Sequence, residues 1–316
     1  MNSKVPIGVI GFGSMGQLHA RNAIKLGLFE IKAVSDIDEN ALKVAKTEFK
    51  VNNTYSSYLD LLDRKDIEAV IITTPPSTHA KIISDASKYG KHILCEKPFT
   101  TNFKEAQVVY SSIVKNKVKF QLGLVLRYTK TYNVLLNYLS NEVKLLGLQG
   151  RYGGYLISYK PHFDRTFDRG MVNSNTIHLI DIIHYLAGNI NEVYVKFNPS
   201  FPKEPELSGI ISFVHKNGLI SNLYTSGAMR VESFLFVNTL SKDYLVESNI
   251  KLFEITDKGK TQILSSELGF EEELTAFYNY LVNGIPTQSG VEDAMKLSYL
   301  MEKVYESASK GKPVRL

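Results

Sequence analysis

The chain has 316 residues, enough for two domains, and 44% of them are hydrophobic, enough to fill ordinary globular cores. Its formal charge of +5 is scattered among acids, with no basic block interleaved with aromatics, which argues against a nucleic-acid partner. No apolar run approaches the roughly 20 residues of a membrane span, no signal-peptide pattern precedes the first strand, and the single cysteine, Cys95, excludes an internal disulfide and argues against a thiolate zinc site. The expected location is therefore the cytoplasm, with no membrane partner.

The first predicted element is a short apolar strand over 6–10 that ends at Gly11-Phe12-Gly13-Ser14-Met15-Gly16. Beyond it, Leu18, Ala20, Ala23, Ile24 and Leu26 follow helical spacing, and a second strand over 29–35 stops at Asp36. Strand, glycine turn, helix, strand and acid, with the acid twenty positions past Gly16, is the spacing of a dinucleotide-binding unit. Gly11 permits the tight turn, Gly13 the approach of a pyrophosphate, and Gly16 the packing of the helix on its strands. The backbone of Phe12, Ser14 and Met15 completes the phosphate site at the helix N-terminus. Asp36 can accept both ribose hydroxyls of NAD and would repel the extra phosphate of NADP. No arginine follows it in Ile37-Asp38-Glu39-Asn40, so NAD is expected in preference to NADP.

The alternation continues with helices over 40–49 and 58–63 and a strand over 69–73, closed by Thr74-Pro75-Pro76, where the nicotinamide side of such domains sits. A helix over 79–89 follows, then a strand over 92–95 with Glu96-Lys97-Pro98 at its carboxyl end, a helix over 101–115 and a strand over 119–126. Ligands bind beyond the carboxyl ends of parallel strands, which places Thr74, Pro75, Glu96 and Lys97 among the cofactor contacts. His79 reads as a structural or helix-start residue, or as one more contact at the same loop. Cys95 reads as a small core residue. Lysine is usually a solvated surface residue, but Lys97 stands at a strand end between an acid and a proline, a setting for a proton-transfer group.

The motifs GFGSMG, TTPPSTH and GKHILCEKP, with the closing stretches 290–294 and 307–314, resemble the glucose-fructose oxidoreductase / inositol dehydrogenase (Gfo/Idh/MocA) family. The resemblance implies an α/β fold: an N-terminal Rossmann doubly wound parallel sheet, placed at 1–123, and a C-terminal α+β domain with a large, mostly antiparallel open sheet, placed at 124–316. That second domain would serve substrate binding and oligomerisation, with the C-terminal helix able to pack back on the first. It also implies a homodimer or homotetramer through the outer face of that sheet. The implied substrates are secondary alcohols of sugars, inositols and sugar nucleotides.

The second half agrees in outline. A strand over 146–158 is broken at Gly153-Gly154, a helix over 173–186 ends at Gly188, and strands follow at 192–197, 208–215, 219–226, 233–240, 244–247 and 251–255. Asn217-Gly218 reads as a hairpin turn, and helices over 267–282 and 291–309 finish the chain. A run of strands beside one helix is an α+β layer. Ser174, His178 and Asp181 fall at i, i+4 and i+7, one helical face. The family pattern has Asp four residues and Gly two residues before the histidine, where this chain has Ser174 and Thr176. Serine cannot supply a negative charge, so Asn173, Asn175 or an acid from another loop is expected to substitute. Asp181 is expected to hold the imidazole or cap a neighbouring loop, and His184 to be packing or surface. Lys160, His162, Arg165, Asp168 and Arg169 crowd the preceding loop, and by resemblance Arg127 and Tyr128 border the site. The expected substrate contacts are Lys97, Arg127, His162, Arg165, Ser174, Asn175 and His178.

These readings converge on an NAD-dependent dehydrogenase or reductase acting on a sugar-like secondary alcohol. Hydride transfer requires a base within hydrogen-bond reach of the hydroxyl, and Lys97 or His178 is that base. An ordinary lysine, with a pKa of ~10.4, needs burial or a neighbouring cation to serve at neutral pH; alternatively His178 relays the proton and Lys97 polarises the oxygen. No metal is required. Two other readings use the same fold: a non-catalytic NAD-binding regulator or sensor, and an imine or tetrapyrrole reductase.

Overall fold

Short apolar strands and amphipathic helices alternate through the first 123 residues of the computed structural model, which describes residues 4–141, 144–155, 170–198 and 206–316. The order is β1 (Val5–Ile10), α1 (Ser14–Leu26), β2 (Phe29–Ser35), α2 (Glu39–Thr47), β3 (Thr54–Tyr55), α3 (Tyr58–Leu62), β4 (Ala69–Ile72), α4 (Pro76–Lys88), β5 (His92–Glu96), α5 (Phe103–Asn116) and β6 (Phe120–Gly123). The strands form one parallel sheet in the order β3-β2-β1-β4-β5-β6. Every residue of β4 and β6 is buried, as is all of β5 beyond His92, because helices cover both faces of a parallel sheet. The strand order reverses between β1 and β4, and ligands of such sheets bind at the carboxyl ends beside that reversal.

Local chemistry sets the helix ends. Asp38 caps α2 by accepting the Asn40 N–H, and Asn102 caps α5 by accepting the Glu105 N–H. Gly27 ends α1 in the left-handed conformation. By contrast α1 begins at Gly13 with no side-chain cap and no acid in its first turn.

The chain forms two compact units, Met1–Gly123 with Phe270–Ser298, and Leu124–Gly269 with Tyr299–Leu316. The core of the first gathers Val5, Ile7, Ala23, Phe29, Ala69, Ile71 and Leu94 around Leu274, Phe277 and Tyr278 of α9 (Phe270–Asn283). Phe29 stacks on Phe277 at 6.4 Å and meets Tyr278 edge-on at 5.8 Å. The returning segment also supplies polar ties: the Gln121 amide donates to the Glu273 carbonyl, and the Ser289 hydroxyl to the Leu122 carbonyl.

The second unit begins with α6 (Val125–Tyr128) and α7 (Lys130–Asn141), then β7 (Leu145–Gly153), a π-helical turn (Val172–Thr176), α8 (Ile177–Ala187) and β8 (Ile190–Phe197). Six further strands follow: β9 (Ser208–His215), β10 (Ile220–Ser226), β11 (Phe234–Thr239), β12 (Asp243–Glu247), β13 (Lys251–Thr256) and β14 (Gly259–Ser265). With β15 (Val314–Arg315) they make a nine-stranded sheet in the order β14-β13-β12-β11-β7-β10-β9-β8-β15, antiparallel except for the parallel pair β7 and β10. The unit boundary falls within α10 (Val291–Lys310). Burial alternates along β9 and β10, so one face is core and the other is open. On the core face a Cβ at Gly150 would lie 2.8 Å from Leu179 Cδ2, so glycine is what lets α8 lie against β7.

The structure departs from the expected elements at one junction. The apolar run over 119–126 reads as one strand, but pairing stops at Gly123 and the chain turns into α6, which carries Arg127 and Tyr128. Helix α7 and strands β3, β14 and β15 were not anticipated; three of these four are short or exposed and carry little apolar pattern. Strand β7 ends at Gly153, which has φ 155° and where a Cβ would lie 2.0 Å from the Ser226 carbonyl oxygen.

Phe277→Ala is expected to destabilise the protein by about 3–5 kcal/mol, the usual range for truncating a fully buried phenylalanine. Urea unfolding measures it; a loss under ~1 kcal/mol would mean α9 is not structural to the first core.

Candidate active site

The glycine turn is built by contact distances that exclude side chains. Gly11 has φ 87°, and a Cβ there would lie 2.8 Å from the Thr74 nitrogen. A Cβ at Gly16 would lie 2.1 Å from the Gly11 carbonyl oxygen. Among the described residues nothing lies within 4 Å of the Cβ position of Gly13, so its lack of a side chain serves no packing against them. Ser14 is exposed and Met15 half-buried at the start of α1. The Phe12 side chain goes to the core, edge-on to Phe49 at 5.0 Å, leaving only its backbone at the turn.

Asp36 ends β2 as the spacing requires. One of its oxygens accepts the Phe12 N–H, and Oδ1 accepts the Asp38 N–H at 2.9 Å. The carboxylate is thus held against the turn, with Ile37 beside it 93% exposed. Across the strand reversal, Thr73 Oγ1 donates to the Gly11 carbonyl at 2.5 Å. Thr74 and Pro75 follow at the end of β4, with the Thr78 hydroxyl donating to Thr74 Oγ1 at 2.7 Å. His79 is fully enclosed, its ring nitrogens facing the carbonyl oxygens of Pro98 and Thr74 at 2.7 and 2.8 Å. The side chain expected at the cofactor therefore ties together the two loops that carry Thr74 and Lys97.

Lys97 is half-buried at the end of β5, followed by a cis bond to Pro98. Glu96, expected as a cofactor contact, is buried: Oε1 accepts from His19 Nε2 at 2.8 Å and Oε2 from the Lys97 N–H at 3.3 Å. Cys95 is core, and burial followed by the Glu96 charge pushes its thiol pKa well up.

In the second unit Arg127 and Asp181 form a buried bidentate pair, Nε to Oδ2 at 2.9 Å and Nη2 to Oδ1 at 2.6 Å. Arg127, expected as a substrate contact, gives Nε and Nη2 to this carboxylate, and Asp181, read as orienting an imidazole or capping a loop, instead engages that guanidinium with both oxygens. The guanidinium also lies 4.8 Å from the Tyr185 ring centre. His178 is half-buried on α8, its ring 6.5 Å from that of Tyr152. Burial pushes the Tyr152 hydroxyl up to about 12 against the opposing effect of its Asn249 hydrogen bond. The expected face of Ser174, His178 and Asp181 is interrupted, because Ser174 and Asn175 lie in the π-helical turn, where the wider i→i+5 repeat breaks α-helical spacing. Ser174 is buried and its hydroxyl donates to the Met171 carbonyl at 3.3 Å; Asn175 is half-buried. Lys160, His162, Arg165, Asp168 and Arg169 lie outside the described residues.

A family profile described as an oxidoreductase family with an NAD-binding Rossmann fold matches residues 5–124. The inositol 2-dehydrogenase of Salmonella typhimurium is 30% identical over 236 residues, covering 73% of this chain and 67% of that protein. The chain belongs to this family. An uncharacterized oxidoreductase, YrbE of Bacillus subtilis, is 27% identical over 339 residues, covering 100% of this chain and 98% of the relative. Among solved structures, levoglucosan dehydrogenase in complex with NADH superposes with a TM-score of 0.87 at 18% identity, covering 99% of each chain. This is a likeness of fold.

Several site features escaped sequence reasoning. Ile37 is flagged only by following the acid. Thr73 looks like the last residue of a strand, and His19 and Glu273 look like ordinary helix residues more than 250 positions apart. Tyr152 had no local signal.

Alanine scanning of the turn separates its two kinds of glycine. Gly13→Ala is expected to keep stability within about 0.5 kcal/mol while weakening NAD binding, because the methyl stands where the pyrophosphate must approach. Gly16→Ala is expected to cost about 1–3 kcal/mol through overpacking. Urea melts and calorimetric titration of NAD read both; equal stability losses would show that Gly13 is a packing glycine too.

Proposed function

We propose that this enzyme moves a hydride between NAD and a secondary alcohol or ketone of a cyclic, sugar-like polyol, with Lys97 and His178 as the proton-transfer groups. The observation that carries the reading is the placement within one unit of the glycine turn, Asp36 and Lys97 at the carboxyl ends of strands β1, β2 and β5 of the same parallel sheet. The inositol and levoglucosan dehydrogenases among the relatives support the substrate class.

The residues fit the cofactor. An uncapped helix start offers its first amides and dipole to a pyrophosphate, the open space at Gly13 admits it, and Asp36 would hold the ribose hydroxyls with Ile37 offering an apolar surface beside them. Thr74 and Pro75 border the nicotinamide side. Bound NAD supplies the hydride acceptor, or as NADH the donor. For oxidation the chain must take the hydroxyl proton as the C–H bond gives up its electron pair, and a neutral amine at Lys97 or imidazole at His178 can accept it. In reduction the same group returns the proton to the carbonyl oxygen. Ser174 and Asn175 are proposed substrate contacts.

The open face of the large sheet carries Ile210, Ile220 and Tyr224, all exposed, which supports a homodimer or homotetramer joined there. Among the described residues no helix is long and apolar enough to cross a membrane, and the proposed location is the cytoplasm.

Lys97→Met is expected to leave NAD affinity near that of the parent and cut turnover roughly 100-fold or more, read as NADH formation with a panel of polyols including myo-inositol. Parent-like turnover in this variant would remove Lys97 from the mechanism.

Asp36→Ala is expected to narrow the preference for NAD(H) over NADP(H), because it removes both the ribose acceptor and the charge that repels a 2′-phosphate. Calorimetry with both cofactors measures it, and NADP(H) binding to the parent as tightly as NAD(H) would sink the assignment.

A further inference from the structure

Below the Lys97 turn, within the first unit, three buried titratable groups meet. His19 comes from α1, Glu96 from the end of β5 and Glu273 from α9, and one ring nitrogen and one oxygen of each carboxyl group lie within 4.8 Å of one another. His19 and Glu273 are fully enclosed and Glu96 is 7% exposed. The sheet leaves room for this: a Cβ at Gly123 on β6 would lie 3.3 Å from the Glu96 carboxyl carbon. The Phe270 ring closes on His19 edge-on at 5.9 Å.

The three groups are not equivalent. Glu96 accepts twice, from His19 Nε2 and from the Lys97 N–H. A carboxylate only accepts, so Nε2 carries the hydrogen of that contact. Neither oxygen of Glu273 and no contact at His19 Nδ1 has a hydrogen-bond partner among the described residues. Two carboxylates in one dry pocket cannot both ionise cheaply. The one with two donors keeps the charge, and the one with none takes a proton. Burial first, and then the Glu96 charge, push the Glu273 carboxyl well above the usual range. A shared metal ion fits the distances poorly. Tetrahedral ligands about 2.0–2.1 Å from zinc stand further apart than the 2.8 Å between His19 and Glu96, which is a hydrogen bond.

We propose that His19, Glu96 and Glu273 form a buried titratable cluster that positions Lys97, with Glu96 as its anion and Glu273 as its neutral acid. The Lys97 N–H is pinned to that anion at 3.3 Å, so the amine is carried on a backbone fixed from beneath. Among the described residues, titratable groups near Glu96 are His19 from α1, Cys95 and Lys97 from β5 and its end, and Glu273 from α9; β6 approaches it with Gly123. The consequence for turnover rests on the reading of Lys97 as a proton-transfer group, whereas the cluster itself is tested without substrate.

Two measurements on the full chain decide it. Infrared spectra at neutral pH should show a carboxylic-acid carbonyl band that Glu273→Gln removes; absence of a Glu273-dependent band overturns the neutral acid. In the second, Lys97 is labelled with acetic anhydride across a pH series and quantified by mass spectrometry. Glu96→Gln should shift the labelling profile of Lys97, because the turn that carries the amine loses the anion its N–H is pinned to. His19→Leu should shift it the same way, His19→Gln, which keeps an N–H at that reach, should restore it, and Glu273→Gln should leave it in place. An unmoved Lys97 titration in Glu96→Gln, or an equal shift in Glu273→Gln, overturns the proposal, as does a stoichiometric metal ion in the purified parent that Glu273→Gln releases. Should Glu96→Gln fail to fold, the infrared comparison and the two His19 variants still decide. If the labelling shifts occur while Lys97→Met keeps full turnover, the cluster stands and the catalytic reading of Lys97 falls.

Discussion

Helix α1 reaches the turn after β1 only because Gly16 has no side chain to set against the Gly11 carbonyl oxygen, 2.1 Å from where a Cβ would stand. The rest of the nucleotide face depends on that approach. It brings the uncapped start of α1 to the carboxyl end of β1, and it leaves the Gly11 carbonyl where the Thr73 hydroxyl can take it. It also sets the Phe12 N–H toward Asp36, so one backbone turn fixes both the anion-binding helix end and the acid beside it. A larger residue at Gly16 would move all of these together.

A second constraint runs through both units. Several charged or strongly polar groups are taken into the interior together with donors and acceptors that satisfy them. Arg127 and Asp181 meet fork to fork, His79 bridges two carbonyls, and Lys91 donates to the carbonyls of Arg64 and Ile67 at 2.6 and 2.8 Å. Each arrangement holds a loop or a short helix in place. Arg127 and Asp181 fasten α6 to α8, and His79 fastens the start of α4 to the loop after Lys97. Glu273 stands apart, since nothing among the described residues donates to it.

The first sheet was legible in the sequence because its signals are local: a strand, a glycine turn, a helix and an acid at fixed spacing. Lys97 was legible for the same reason, standing at a strand end before a proline. What was not legible is non-local or depends on backbone detail. Nothing in the residues over 119–126 marks the step from strand to helix at Gly123, where the glycine lies against Glu96 and Leu122 is tied to Ser289. The π-helical turn at Val172–Thr176 has no sequence signature, and it undoes a face drawn with α-helical spacing. The pairing of Arg127 with Asp181 spans 54 positions, and that of His19 with Glu96 spans 77, beyond any pattern of periodicity.

The return of Phe270–Ser298 to the first unit also has a bearing on how the protein comes into being. A ribosome delivers β1 through β6 long before α9, yet Leu274, Phe277 and Tyr278 cover Ile7, Phe29 and Leu94. A nascent chain that has finished the parallel sheet therefore carries an open apolar flank while the whole nine-stranded layer is still being made. Such exposed surface is what draws growing chains into aggregation or onto chaperones. The nucleotide turn is complete early in synthesis, but the core beneath it is sealed only when the segment Phe270–Ser298 emerges.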